Sequence, residues 1–262
     1  MLTEAELEEL MRAAMEDPRK DIDFLRGLLN ATLHALAPLS DDHPRLRLIM
    51  FQRPDGMHFI PCFTSEWQAD EARGNATRRV SMLGRLLLES TRGAMFIVNP
   101  NHESCALYPE EVEQLLATGR IGLVTCETIQ KDQTVLVGPP REMPEWFVSG
   151  LRALYTKLPF VVSAHLLGTV RPDISNETIW LVSLVVEPPY EERAVHATSA
   201  ALQEPWAAAA GAVDFTTVTP DRTDKLLEGA VKFYERDPSV SNTDIAPGIP
   251  SKGAPKNGLV DS

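Results

Sequence analysis

The segment FIPCFTSEWQAD, residues 59–70, places a cysteine, a threonine, a serine and a glutamate within five positions, with His58 directly ahead. It reads either as a reactive thiol with helpers or as the point where a strand becomes a helix. Apolar Phe59, Ile60, Cys62 and Phe63 do not alternate with polar residues, which predicts a strand covered on both faces. Pro61 donates no ladder hydrogen bond, so it points to an edge position or a bulge. Ser65 stands three residues before Gln68, the spacing of a capping box, and Glu66 falls in the first helical turn; Thr64 is the alternative cap. A helix N-terminus lowers a thiol pKa, but apolar neighbours raise it. His58 lies four strand residues from Cys62, too far along the strand to act as its base. The elbow is the stronger reading.

Upstream, Leu7, Leu10, Met11 and Ala14 recur at helical spacing behind a Thr3 cap with Glu6 three positions on. Pro18 suits the first turn of a second helix, whose apolar stripe runs Phe24, Leu25, Leu28, Leu29 and Leu33. A hairpin follows: RLIMFQ near 47–52, the turn RPDG at 53–56 and the strand 57–63. Downstream, SMLGRLLLESTRG (81–93) reads as a helix stopped by Gly93, AMFIVNP as a buried strand, and YPEEVEQLLATGR (108–120) as a helix opened by Pro109 and two glutamates. This half is a mixed α+β pattern.

The second half changes character. A strand at 134–140, a helix from Pro144, strands at 159–170 and 177–187, a helix ended by Pro205 and a strand at 212–218 give the order βαββαβ. That order predicts a split βαβ, ferredoxin-like domain, with DRTDKLLEGAVKFYER (221–236) as an added helix. The boundary falls near 129–133, giving domains 1–132 and 133–237. Residues 238–262, rich in Pro, Gly, Ser and Asn, bury too little apolar area to offset their ordering entropy and read as a disordered tail.

The 262 residues carry a formal net charge of -12, from 37 acidic and 25 basic side chains. Phosphate backbones repel such a surface, and Lys and Arg never gather into a run, which argues against nucleic acid and anionic membranes. Three cysteines without a CxxC pair argue against a disulfide framework or a cysteine-rich zinc site. An acidic, amphipathic start and the lack of a long apolar run predict a cytoplasmic protein. GxGxxG after a strand, GxxxxGK[ST], HExxH, GxSxG and an EF-hand loop are all missing, so no cofactor is expected. In NPNHESC (99–105), His102, Glu103 and Cys105 are possible metal ligands, but without a second pair they supply only part of a zinc site. Asn-Pro-Asn, including Asn101, is turn chemistry, and the polar-turn reading is preferred; no metal is expected. His165 lies inside an apolar strand, where a satisfied histidine is the simpler role. Trp146 and Phe147 are adjacent on one helix and cannot face the same way, so one of them is a candidate contact residue.

Several of these segments together resemble the SseB family of bacterial proteins, named for enhanced serine sensitivity. They are DPRKDIDFLRGLLNATLHAL, FIPCFTSEWQAD and FIVNPNHESCALYPEEVEQLL in the first half, and GPPREMPEWFVSGLRALYTKLPFVVSAHL and FYER (233–236) in the second. The resemblance implies an N-terminal and a C-terminal SseB domain and no established catalytic residue. The expected function is therefore non-enzymatic, through an unidentified protein partner or a homodimer, with Trp146, Asn101, His102 and Arg141 as candidate contact residues. The alternative is a regulatory module that binds an amino acid, with Arg141 or Arg152 receiving its carboxylate.

Overall fold

The computed structural model describes residues 2–40, 43–54, 56–122, 134–172, 175–202, 213–221, 227 and 229–239. The boundary expected near 129–133 and nearly all of the expected tail lie outside them. Mixed helices and strands build two sheets, as an α+β fold requires.

Helix α1 (Glu4–Glu16) starts with the predicted box: the Thr3 hydroxyl accepts from the Glu6 N–H and the Glu6 carboxylate accepts from the Thr3 N–H. Pro18 opens a 3-10 turn (Pro18–Lys20) that leads into α2 (Asp21–Asn30). The helical stripe does not extend to Leu33. The chain turns at Ala31 and continues as β1 (Thr32–Pro38), a strand inside the sheet with residues 33–37 all buried. A continuous apolar run on a doubly covered strand carries no period of its own, so it reads equally well as the end of a helix.

Strand β2 (Phe51–Gln52) is shorter than expected and pairs with β3 (His58–Phe63). Helix α3 (Glu66–Ala72) then leads to β4 (Thr77–Leu83), α4 (Gly84–Ser90) and β5 (Met95–Val98). The predicted helix at 81–93 begins only at Gly84, because the residues before it pair with β1 along its whole length. Strand β6 (Cys105–Leu107) and α5 (Pro109–Thr118) complete this part, with Gly119 in the left-handed region at the end of α5. The first sheet runs β4-β1-β3-β5-β6, and β3 and β5 are parallel.

Pro61 is thus not on an edge strand. On one side of β3, β2 pairs at residues 58–59 and β1 at residues 62–63. Pro61 occupies the gap between these two partners, which is how an interior strand accommodates the missing N–H. The main core lies between this sheet and α1, α2, α4 and α5, with Leu7, Met11, Phe24, Leu28, Leu87 and Leu115 packed against Ile60, Cys62, Phe96 and Val98.

The second sheet contains β7 (Leu136–Gly138), β8 (Val161–Arg171), β9 (Ser175–Val186), β10 (Val213–Val218) and β11 (Val231–Glu235), with α6 (Glu145–Tyr155) and α7 (Glu191–Ala201) packed on it. The predicted order βαββαβ is present along the chain, but its strands do not interleave as a ferredoxin-like domain requires. The sheet runs β10-β9-β8-β11, with β7 also paired to β8. Strand β10 pairs directly and in parallel with β9, at the place where a ferredoxin-like sheet inserts its first strand, and β7 pairs with β8 instead. The added helix is also corrected. Val231–Glu235 pairs antiparallel with β8 and buries Phe233, as its β-branched and aromatic residues favour; residues 222–226 lie outside the described part.

The two sheets meet where α5 faces α7. The Arg193 guanidinium donates to both Glu110 oxygens, at 2.6 and 3.2 Å, and lies 5.0 Å over the Phe160 ring. His196 Nδ1 is 2.7 Å from Glu111, a carboxylate that also accepts from the Tyr108 N–H at the start of α5. Burial alone would lower the His196 pKa; the hydrogen bond to Glu111 and the charges of Glu111 and Glu192 outweigh it and raise it above the ordinary 6.5.

Two outcomes are expected. A Cβ on Gly84 would overlap the Leu28 backbone carbonyl, so Gly84→Ala lowers stability by about 3 kcal/mol or more in urea unfolding. For His196, the raised folded pKa means its contribution is complete below pH 6.5 and is lost as pH climbs through the folded value. His165, lowered mainly by burial, works in the opposite sense, its contribution being lost as pH falls. His196→Gln therefore flattens the alkaline decline and leaves the acid limb unchanged, and an NMR titration of the His196 ring has its midpoint above 6.5.

Candidate functional site

The two sequence segments that stood out, 59–70 and 99–105, converge in space. Because β3 and β5 are parallel and Cys62 pairs with Val98, both chains leave the sheet at the same end. The β3–α3 elbow and the β5–β6 loop separate there, and Asn99 joins them. Its N–H donates to the Cys62 carbonyl at 2.8 Å, its Oδ1 accepts from the Thr64 N–H at 3.0 Å, and its Nδ2 donates to the Thr64 hydroxyl at 2.9 Å. Asn99 is buried with φ +52°, alone among the described non-glycine residues in having a positive φ. Asparagine tolerates that conformation better than most side chains.

Helix α1 lies over this junction and contributes two carboxylates. Glu8 accepts from the Gln68 amide at 3.0 Å and from the Thr64 hydroxyl at 3.5 Å. Glu4 accepts from the Glu66 N–H at 3.2 Å and stands 3.0 Å from His34 Nε2. The His34 side chain is only 2% exposed, and its Nδ1 lies 2.8 Å from the Ser81 hydroxyl. Ser65 does occupy the predicted N-cap position, but the capping box does not form. The Ser65 hydroxyl makes no cap bond and is buried without a partner; Gln68 turns to Glu8; the first N–H of α3 is satisfied from another helix, by Glu4.

No thiol chemistry is assembled here. Cys62 is buried in the core, and burial together with neighbouring Cys105 pushes its pKa far up. Burial likewise pushes Cys105 up to about 12, and its S–H faces the Ala106 carbonyl. His58 is exposed at the far end of the strand. His102 sits 2.6 Å from Glu71, its ring against that of Trp67, which is 62% exposed. Asn101 is exposed beside it. Among the described residues His102, Glu103 and Cys105 do not converge; one His/carboxylate group does, formed by Glu4, His34 and Glu66. None of these three was singled out as a ligand from sequence, because an acid in a first helical turn already has a reason to be there and His34 lies within an apolar run.

The other candidates lie on the second sheet. Phe147 is fully buried and Trp146 is 42% exposed, so of the adjacent pair it is the tryptophan that faces outward. Leu136, Val137 and Met143 are exposed within the same ten-odd residues of chain. Arg141 lines a shallow cleft of about 490 Å³ with Glu142, Asn176, Glu177, Thr178 and Trp180. Arg152, by contrast, is held structurally, donating to the Phe233 carbonyl at 2.7 Å and to Glu145 at 2.9 Å.

A mixed sheet under α1, with an elbow and a loop clamped at the carboxyl end of its parallel pair, makes the first part of the chain an α+β unit. Residues 7–114 match the family model described as SseB protein N-terminal domain, so this part of the chain is similar to that domain. No curated protein and no solved structure matches the chain. The matched residues contain the whole junction except Glu4 and stop short of the second sheet.

The clamp is directly testable. Asn99→Ala strands the Thr64 N–H and places an unfavourable residue at positive φ, and is expected to destabilise by about 2–4 kcal/mol in urea unfolding. Asn99→Gly, relieved of the backbone cost, should lose less.

Proposed function

We propose that this protein is a member of the SseB family and acts without catalysis, in the cytoplasm, by binding a protein partner through the surface around Trp146, in keeping with the serine-sensitivity link of that family. The observation that carries this reading is the group of exposed apolar side chains, Leu136, Val137, Met143 and Trp146, on β7 and the start of α6. Several exposed apolar side chains close together in the chain, an aromatic among them, are what partner surfaces present, whereas a single one would need no explanation. The short edge strand β7 offers backbone groups for pairing. The net charge of -12 selects against anionic surfaces. The partner is another protein or a second copy of the chain. Among the described residues, no helix is long and apolar enough to cross a membrane.

A second reading has its own observation. The Arg141 cleft sets a guanidinium near Glu142 and Glu177, charges of both signs as an amino acid zwitterion requires, with the Thr178 hydroxyl and the Trp180 ring alongside.

One comparison tests both. The full chain should recover a specific protein from bacterial lysate, or self-associate, and the double variant Leu136→Glu, Trp146→Ala should lose that capture at least tenfold with stability changed by no more than about 0.5 kcal/mol. Equal capture by the variant, or none by the wild type, overturns the first reading. A saturable thermal shift with serine or another amino acid, abolished by Arg141→Ala, establishes the second.

A further inference from the structure

Beneath α1, outside the surface just proposed, side chains from three elements converge on one point. Glu4 is the first residue of α1, Glu66 the first of α3, and His34 projects from β1, an interior strand of the sheet. One ligand atom from each, two carboxylate oxygens and an imidazole nitrogen, lies within 4.8 Å of the other two. A helix start explains either acid by itself. It does not explain why both face the same buried imidazole.

The surroundings have the character of a cation site. His34 is held at Nδ1 by the Ser81 hydroxyl, which leaves Nε2 directed at the carboxylates. A second partner on the non-ligating nitrogen is the usual support of a metal-binding histidine. The charge is also unbalanced. Glu4, Glu8, Glu66 and Asp70 gather here, and among the described residues the arginine paired with any of them at this corner, besides the Arg73–Asp70 contact on the rim, is Arg79. Arg79 engages Glu66 through Oε2 at 3.0 Å, and a carboxylate has a second oxygen to offer. Independently of the charges, the Ser65 hydroxyl, on the residue directly before Glu66, is buried and unpartnered, as is the Gln68 side-chain carbonyl one turn later. Buried polar atoms without a protein partner are uncommon, and an ordered water or an ion is what such atoms can hold.

We propose that Glu4, His34 and Glu66 form a binding site for a divalent first-row metal ion of the Zn²⁺ class. One imidazole and two carboxylates suit such an ion and leave a fourth position for water. A metal on Nε2 requires that nitrogen unprotonated, with the ring proton on Nδ1 donated to the Ser81 hydroxyl. The ion would fasten the starts of α1 and α3 to β1; no reaction is assigned to it.

The test is a Zn²⁺ titration of the chelator-treated full chain, followed by calorimetry, with Co²⁺ absorption as the readout of coordination. One ion per chain is expected, with a visible Co²⁺ ligand-field band and a raised unfolding temperature. Because His34 is buried and its replacement threatens folding, the decisive variants are Glu66→Gln and Glu4→Gln at the partly exposed positions. Each should weaken binding at least tenfold and remove the Co²⁺ band. Glu71→Gln, which breaks the separate His102–Glu71 pair, should change neither. The proposal is overturned if the wild type shows no saturable binding at micromolar Zn²⁺, if Glu66→Gln and Glu4→Gln bind as the wild type does, or if Glu71→Gln takes the loss instead.

Discussion

Two parallel strands that end side by side create a problem for the backbone. Past Cys62 and Val98 the ladder stops, and the N–H and C=O groups that follow are buried under α1 with no strand left to pair them. The Asn99 amide resolves it. One side chain accepts from the Thr64 N–H and donates to the Thr64 hydroxyl, while its own N–H returns to Cys62. A made hydrogen bond contributes about 1 kcal/mol net, but leaving such a donor unpaired costs about 1–3 kcal/mol, so the clamp matters mostly for what its absence would cost. Its left-handed φ is maintained because the alternative is worse. The direction of the chain into α3, and with it the position of Glu66, Trp67 and Gln68, depends on this one residue.

From there the consequences pass to α1. A helix start usually satisfies its first donors locally, through the side chain just ahead of it. In α3 the local side chain, Ser65, is idle and the carboxylate of Glu4 does the work from another helix. Glu8 repeats the arrangement one turn further along α1, toward Gln68 and Thr64. The apolar face of α1 seals the core through Leu7 and Met11, and its acidic edge terminates the elbow beside them. Docking of α1 and formation of α3 are therefore coupled: α1 undocked would leave the Glu66 N–H and the Gln68 amide without these acceptors, and α3 unformed would leave Glu4 and Glu8 without these donors.

Much of this architecture was legible in the sequence. The Thr3–Glu6 box, Pro109 with its two glutamates, the turn at Gly56 and the outward Trp146 each follow from chemistry contained in a few adjacent residues. What was not legible depends on partners far away in the chain. Strand β1 looked helical because burial on both faces removes alternation, and β4 was absorbed into the helix that follows it. The segment at 231–235 carries lysine and glutamate that also suit a helix, and only the open side of β8 makes it a strand. The Ser65–Gln68 spacing was the right signal for a helix start, but Glu8 outcompeted Ser65 for the glutamine. Asn99 stood in a quoted motif and read as a turn residue; its function as a clamp requires knowing that Thr64 lies across from it. His34 was hidden in the same run that disguised β1.

The contact between the two sheets has a different chemistry from either core. Its ties are charged: Arg193 with Glu110, His196 with Glu111, and Arg53 3.5 Å from Glu192. Polar contacts of this kind are typical of domains whose relative placement responds to conditions, since paired charges weaken with salt and with loss of a proton. Glu111 makes the arrangement more than additive. The same carboxylate closes the first turn of α5 through Tyr108 N–H and binds His196 on α7, so it is fixed in place before the second unit arrives. A pre-positioned acceptor loses little freedom when the imidazolium docks, which is why a mostly buried histidine can hold its proton against the penalty of burial. Helix capping in the first unit thereby sets the strength of its grip on the second.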